Sequence, residues 1–454
     1  MRLTWAQPED LLPHALVQAV ADGVDVAAVA ARWRTAGGPL TPAVGGASDD
    51  PALVPLRGLA RDLLAEVDER TRQASPPLDP DALVRLEPGW GPSPVAPAAA
   101  DGDRLHGGWL GRAAGCLLGK PVEKIPRDGI RAIAEATGNW PVRGYFTERG
   151  LPAGIARRWP WNRRSRPTSL VENIDGMPED DDLNFTLVAL TLLERHGGAL
   201  STDDVALFWL DALPAGRVFT AERIAYRNLL NGVAPQRAAL VGNPFRSWIG
   251  ALIRADAYGW AHPGDPHAAA RAAHPDAWLS HRGDGLYGAL FGAALAATAV
   301  VADDIEEVLD AGLCVVPAGS TLAEAVAHGR KLGRSGLPLD EALDDLHARY
   351  GHLHWVHVLN NSALLAYALT ASAGDFTTAT GIAVMGGWDT DSVGATAGAV
   401  CGALAGARAL PDAFTTPLRN RIATSLPGLD GVAIDSLAAR TTALSAGTDR
   451  KSVV

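Results

Sequence analysis

The 454-residue sequence predicts an all-α fold, a large helical bundle, on three observations. From His106 onward, long stretches rich in Ala, Gly and Leu alternate with short polar loops. No segment keeps a period-two alternation for long, and runs of β-branched residues are scarce, so strands are not expected. Apolar residues make up 47% and charged ones 20%, the balance of a globular protein with a large core. The net charge of −11 argues against a nucleic-acid surface, because binding phosphates requires Lys and Arg to neutralise them.

In chain order, residues 1–75 read as a helical appendage. Leu11 to Val20 and Val24 to Trp33 form an early helical pair. Leu53, Leu56, Leu59, Leu63, Leu64 and Val67 then recur at helical spacing, opposite Arg61, Asp62, Glu66 and Arg70. Residues 76–103 hold Pro76, Pro77, Pro80, Pro88, Pro92, Pro94 and Pro97 with few apolar neighbours, the composition of a linker. Residues 104–454 then form the main domain. Its expected helices are 106–119, 128–137, 182–196, 203–212, 220–231, 247–258, 268–273, 285–301, 303–313, 320–331, 339–349, 355–371, 376–385, 391–409 and 431–445. Leu286 to Ala302 carries no charge over seventeen residues. Its small side chains and flanking Asp284, Asp303 and Asp304 favour a buried core helix over a membrane span.

Cys116, Cys314 and Cys401 lie far apart in apolar surroundings, which is neither a disulfide framework nor a zinc spacing. Together with an N-terminus that lacks a basic segment leading into an apolar one, this predicts a cytoplasmic protein with no membrane partner. A monomer or small homo-oligomer is expected.

Chemistry concentrates at two acidic helix mouths. Gly386 and Gly387 precede Trp388-Asp389-Thr390-Asp391-Ser392, after which Val393 to Ala407 is almost entirely small and apolar and must be buried. Thr390 or Ser392 is placed to cap the first turn. Upstream, Glu179-Asp180-Asp181-Asp182 stands before the apolar run Leu183 to Leu193. Carboxylates crowded at buried helix starts repel one another unless a cation compensates them. An oxygen-only donor set without clustered Cys or His points to Mg²⁺ or Mn²⁺.

Gly111, Gly115 and Gly119 make one bare helix face for close backbone packing, and their spacing is not that of a phosphate loop. Glu123 hangs on the loop beyond them. Arg157, Arg158, Arg163, Arg164 and Arg166 crowd together with Trp159 and Trp161, and guanidinium forks beside indoles suit a diphosphate and a purine. Asn243 and Arg246 lie on a turn entering a helix. His352, His354, Trp355 and His357 form a histidine-dense stretch whose spacing suits pocket lining better than zinc ligation. Asn243, Arg246, Trp355 and His357 are thus candidate substrate-binding residues.

These motifs resemble the ADP-ribosylglycohydrolase family. Gly119-Lys120-Pro121-Val122-Glu123 matches that family's Gly-x-x-x-Glu, Glu179 to Asp182 stands at its Thr-Asp-Asp-Thr, and Gly387 to Ser392 at its Gly-Asp-Thr-Asp-Thr/Ser. There are three departures: Glu179 and Asp182 replace the two threonines, Trp388 is inserted, and Cys116 stands where many members have Asp.

The resemblance implies an all-α bundle of that type, with two Mg²⁺ or Mn²⁺ ions, cleaving a glycosidic bond at C1 of ribose. The substrate would be an ADP-ribosylated or ribosylated protein side chain or small molecule. It implies Glu179, Asp180, Asp181, Asp389, Asp391 and Ser392 as metal ligands, and Glu123, Asp181 and Asp389 as catalytic residues. A rival is the Mg²⁺-dependent all-α terpene synthase class, which Asp180-Asp181-Asp182 superficially fits. Another is an ADP-ribose-binding relative without turnover.

Overall fold

A computed structural model describes residues 3–74 and 86–448. Part of the expected linker, 76–85, lies outside the described residues, as do positions 1, 2, 75 and 449–454. Helices joined by short loops dominate. The only paired strands among the described residues, Arg421–Ile422 and Val432–Ala433, form a two-residue antiparallel ladder.

At the centre, the glycine-rich helix Gly102–Gly119 packs along Thr390–Ala405. Gly107, Gly111 and Gly115 face Gly402, Gly398 and Gly394, and a methyl on any of these six would overlap the backbone opposite it. Absence of side chains on both faces is what lets two helix axes approach so closely, and here it joins two segments far apart in the sequence. Around this pair stand Asp181–His196, Asp284–Ala299, Val358–Ala371 and Phe376–Met385, all largely buried. Asp284–Ala299, from the long uncharged stretch, is a core helix. No helix among the described residues is long and apolar enough to cross a membrane.

Several boundaries differ from expectation. The stretch 247–258 divides into a 3₁₀ turn, Ile249–Arg254, and a short helix, Asp256–Trp260. Trp248 enters extended because it bridges to His357. That bridge also delays the next helix to Val358, with His357 as its cap. Pro266–Ser280 is far longer than the expected 268–273, and Gly406, at φ +85°, stops the partner of the glycine helix at Ala405.

Pro8–Ala21, Ala27–Thr35 and Arg57–Ala74 form the N-terminal helices, with a core of their own around Leu12, Leu16, Val29, Trp33, Leu63 and Val67. The following stretch is laid on the main body: Gly91 N–H donates to Cys314 O (2.7 Å), Ala98 N–H donates to Pro263 O (3.2 Å), and Trp90 stacks on His267.

Candidate active site

The two acidic mouths converge. Glu123, Glu179, Asp180, Asp181, Asp182, Asp389, Asp391 and Ser392 line one cavity of about 800 Å³. The close helix packing brings the end of the glycine helix and the start of its partner to the cavity, and Lys120 and Arg112 of the first segment bond to Asp180 and Asp182 of the second mouth. Gly119 accepts a hydrogen bond from Thr390 Oγ1 (2.9 Å), and Ser392 Oγ donates to Asp182 Oδ2 (3.3 Å). These hydroxyls therefore do not cap their own helix, contrary to expectation. Asp389 holds the N-cap position without a side-chain capping bond, which leaves its carboxylate for the cavity, and its backbone N–H donates to Asn361 Oδ1 (3.2 Å). Trp388 turns away and stacks on His347 with ring centroids 4.2 Å apart. Gly387, at φ +73°, makes that turn against Arg127.

The acids separate into two groups. Three have a cation built in: Asp180 pairs with the buried Lys120, Asp182 with Arg112 (3.5 Å) and Glu179 with Arg217 (2.8 Å). Glu179 also accepts from Ser425 Oγ (2.6 Å) and Asn184 Nδ2 (3.0 Å). Burial pushes the Asp180 carboxyl up, but the Lys120 ammonium outweighs it and holds the group below the usual range. By contrast, no Lys or Arg among the described residues forms an ion pair with Asp181, Asp389 or Asp391. Burial, then the neighbouring Asp180 and Asp391, push Asp181 well above the ordinary carboxyl range. Burial and Asp391 do the same to Asp389. Burial, Glu123 and Asp180 raise Asp391 to about 7.

Glu123 stands at the rim, accepting from Asn162 Nδ2 and paired with Lys124 at 3.0 Å. Lys124 has φ +71°, a costly conformation for a side-chain-bearing residue, and it lies 5.3 Å from the Trp355 ring. Arg164, Arg217 and Phe219 complete this cationic and aromatic flank. Of the five arginines within 157–166 only Arg164 lines the cavity, beside Asn162 and Ser165; Arg166 pairs with Glu148 instead.

Of the expected substrate residues, Trp355 alone lines the cavity. Asn243 is buried, donating to Ser280 O (2.9 Å) and accepting from Phe245 N–H (3.1 Å). Arg246 pairs with Asp22 of the N-terminal helices. His357 accepts from Leu359 N–H (3.2 Å) as a helix cap. Their polar atoms are committed to structure, which polarity alone could not reveal.

Sequence reading missed Lys120, Lys124, Asn162, Arg217 and Phe219; Asn361 belongs to the histidine-dense stretch read as suited to pocket lining. Lys120 and Lys124 flank the Glu123 motif and were the most accessible signal; the others reach the site from distant segments. Cys116 Sγ lies with carboxylate oxygens of Asp180 and Asp182 inside a 4.8 Å cluster. Burial and those acids raise its thiol well above the ordinary value, so it is no ready thiolate ligand.

The site is thus a set of carboxylates at two helix mouths around one cavity of an all-α bundle. The chain is a member of the ADP-ribosylglycohydrolase family, a family of the glycosidic-hydrolase type, whose model matches residues 97–450. Among solved structures, one described as an ADP-ribosylglycohydrolase-related protein complex is similar, with 22% identity and a TM-score of 0.46. That similarity covers 76% of this chain and 98% of the other. No curated protein matches the chain significantly. Family membership removes the terpene-synthase rival.

Proposed function

We propose that the protein is a Mg²⁺- or Mn²⁺-dependent glycosidase that releases ADP-ribose, or a simpler ribosyl group, from an acceptor by hydrolysis at C1 of the ribose. The observation that carries this reading is the set of carboxylates Asp389 and Asp391, buried, and Asp181, half-buried, mutually repelling and without an ion-pair partner among the described residues, around one cavity. Their donors are all oxygen, which fits a hard divalent cation. Asp181, Asp389 and Asp391 would hold it, with Asp180, Ser392 and Glu179 beside them. When bound, such a cation supplies positive charge that orients ribose hydroxyls and makes water more acidic.

The chain's own groups supply the rest. The new bond joins water oxygen to C1, and the C1–acceptor bond breaks with its electron pair going to the acceptor atom, which takes up a proton. A carboxylate next to the water, Asp181 or Asp389, accepts the proton that the water loses. Glu123, held by Asn162 and Lys124, presents its carboxylate to the ribose from the rim. Three buried, unpaired cysteines fit a reducing compartment, and we place the protein in the cytoplasm.

The direct test is Asp389→Asn, assayed for ADP-ribose release and for Mg²⁺ binding by calorimetry. Loss of activity by at least a hundredfold with weakened Mg²⁺ binding and an unchanged helical circular-dichroism spectrum is expected. Full activity in that variant would falsify the assignment.

A further inference from the structure

Residues 3–74 lie outside the span matched to the family, and their separate core gives them no need to touch the cavity. They do touch it: Thr4, Trp5 and Gly45 are part of its wall. The attachment is specific. Arg223 Nη1 donates to Thr4 O (2.7 Å) and Thr4 Oγ1 (3.0 Å), and Trp355 Nε1 donates to Val44 O (3.0 Å). The Trp5 indole stands edge-on to Phe245 and Trp248, with centroids 5.5 and 5.6 Å away.

These wall residues sit among the cavity's cations and rings. Arg223, which anchors Thr4, lies 4.9 Å from the Phe219 ring, and Arg164 lies 5.9 Å from the same ring. Trp355, which anchors Val44, carries Lys124 on its face. Guanidinium and ammonium donors suit phosphates, and aromatic faces suit a planar base.

We propose that the N-terminal helical unit builds the subsite for the nucleoside diphosphate part of the substrate. Thr4, Trp5 and Gly45 close that subsite, facing Trp355, Arg164 and Lys124, while the ribose C1 lies at the acids. The inference rests on the functional reading above and deepens it by giving the ADP moiety its place.

Gly45 offers a clean probe. Its φ is not in the left-handed region, and a Cβ built on it meets nothing within 4 Å, so a larger side chain would enter open space. Gly45→Leu should keep the wild-type melting temperature and Mg²⁺ affinity. Its Kd for ADP-ribose, and for ADP alone, should rise at least tenfold by calorimetry. Trp355→Phe, which keeps the ring but loses the bond to Val44, should weaken ADP binding several-fold and serves if Gly45→Leu proves unstable. Wild-type binding of ADP-ribose with both variants unchanged overturns this inference alone. A wild-type protein that binds neither ADP-ribose nor ADP overturns the functional reading and this subsite with it.

Discussion

An ammonium placed among carboxylates changes what each of them is able to hold. Lys120 pairs with Asp180, and both side chains are buried. Removing one member of a buried pair strands the other, at a cost of about 3–5 kcal/mol. Lys120→Gln is therefore expected to lower the melting temperature of the metal-free protein by several degrees at pH 8. It should also enlarge the gain on adding Mg²⁺, because the incoming cation then relieves Asp180 as well. Calorimetric melts with chelator and with Mg²⁺ read both effects, and a metal-free melt equal to wild type would refute the pairing. The acids themselves were legible in the sequence because each cluster directly precedes a buried helix, a purely local pattern. Lys120 was not, because its partner lies sixty residues further along the chain and no local rule brings the two together. The same limit hid the roles of Thr390 and Ser392. A hydroxyl at a helix start reads as a cap, and only the neighbouring elements show that it bonds to Gly119 and Asp182 instead.

Helices, rather than single residues, set where the acidic mouth at Asp389 stands against the end of the glycine helix. Gly111 and Gly398 each lie against the other's carbonyl, so the spacing of the two axes depends on neither carrying a side chain. Gly398→Ala should force the helices apart. Overpacking of this kind typically costs about 1–3 kcal/mol. Because Thr390, Asp391 and Ser392 ride on the same helix, Mg²⁺ affinity should fall together with stability. Gly58→Ala provides the contrast, since a methyl there meets open space in an N-terminal helix. That change should leave both quantities unaffected or slightly improved. Urea denaturation and metal titration of the two variants separate a packing effect from a general intolerance of mutation. The glycine stripe on Gly102–Gly119 was readable as a close-packing face. Its partner was not, because the pairing joins segments nearly three hundred residues apart.

Across the whole molecule, the N-terminal unit is held to the body through a cluster in which Trp5 meets His14, Phe245, Trp248 and His354. This explains why two polar segments that read as site residues, 242–249 and 352–361, contribute largely to docking: Arg246 holds Asp22, and His354 meets Trp5 and His14. Burial, then the nearby His354, lowers the His14 pKa to about 3, and burial lowers His354 to about 4. Both rings are thus neutral in the docked state, whereas in the unfolded chain each takes up a proton near 6.5. The native state binds fewer protons, so stability rises with pH through this window and is lost as pH falls from about 6.5 toward 4. Each unit of separation corresponds to about 1.4 kcal/mol per histidine. Acidification within that window should therefore weaken the seat of the N-terminal unit and, with it, the wall formed by Thr4, Trp5 and Gly45. Limited proteolysis should show cleavage within residues 36–56 accelerating as pH drops from 7 to 5, under an acid-tolerant protease corrected for its own pH profile. His14→Phe, which fills the site without a titrating group, should flatten that acceleration. If cleavage in wild type and variant responds to pH identically, the histidine cluster is not what ties the unit to the body.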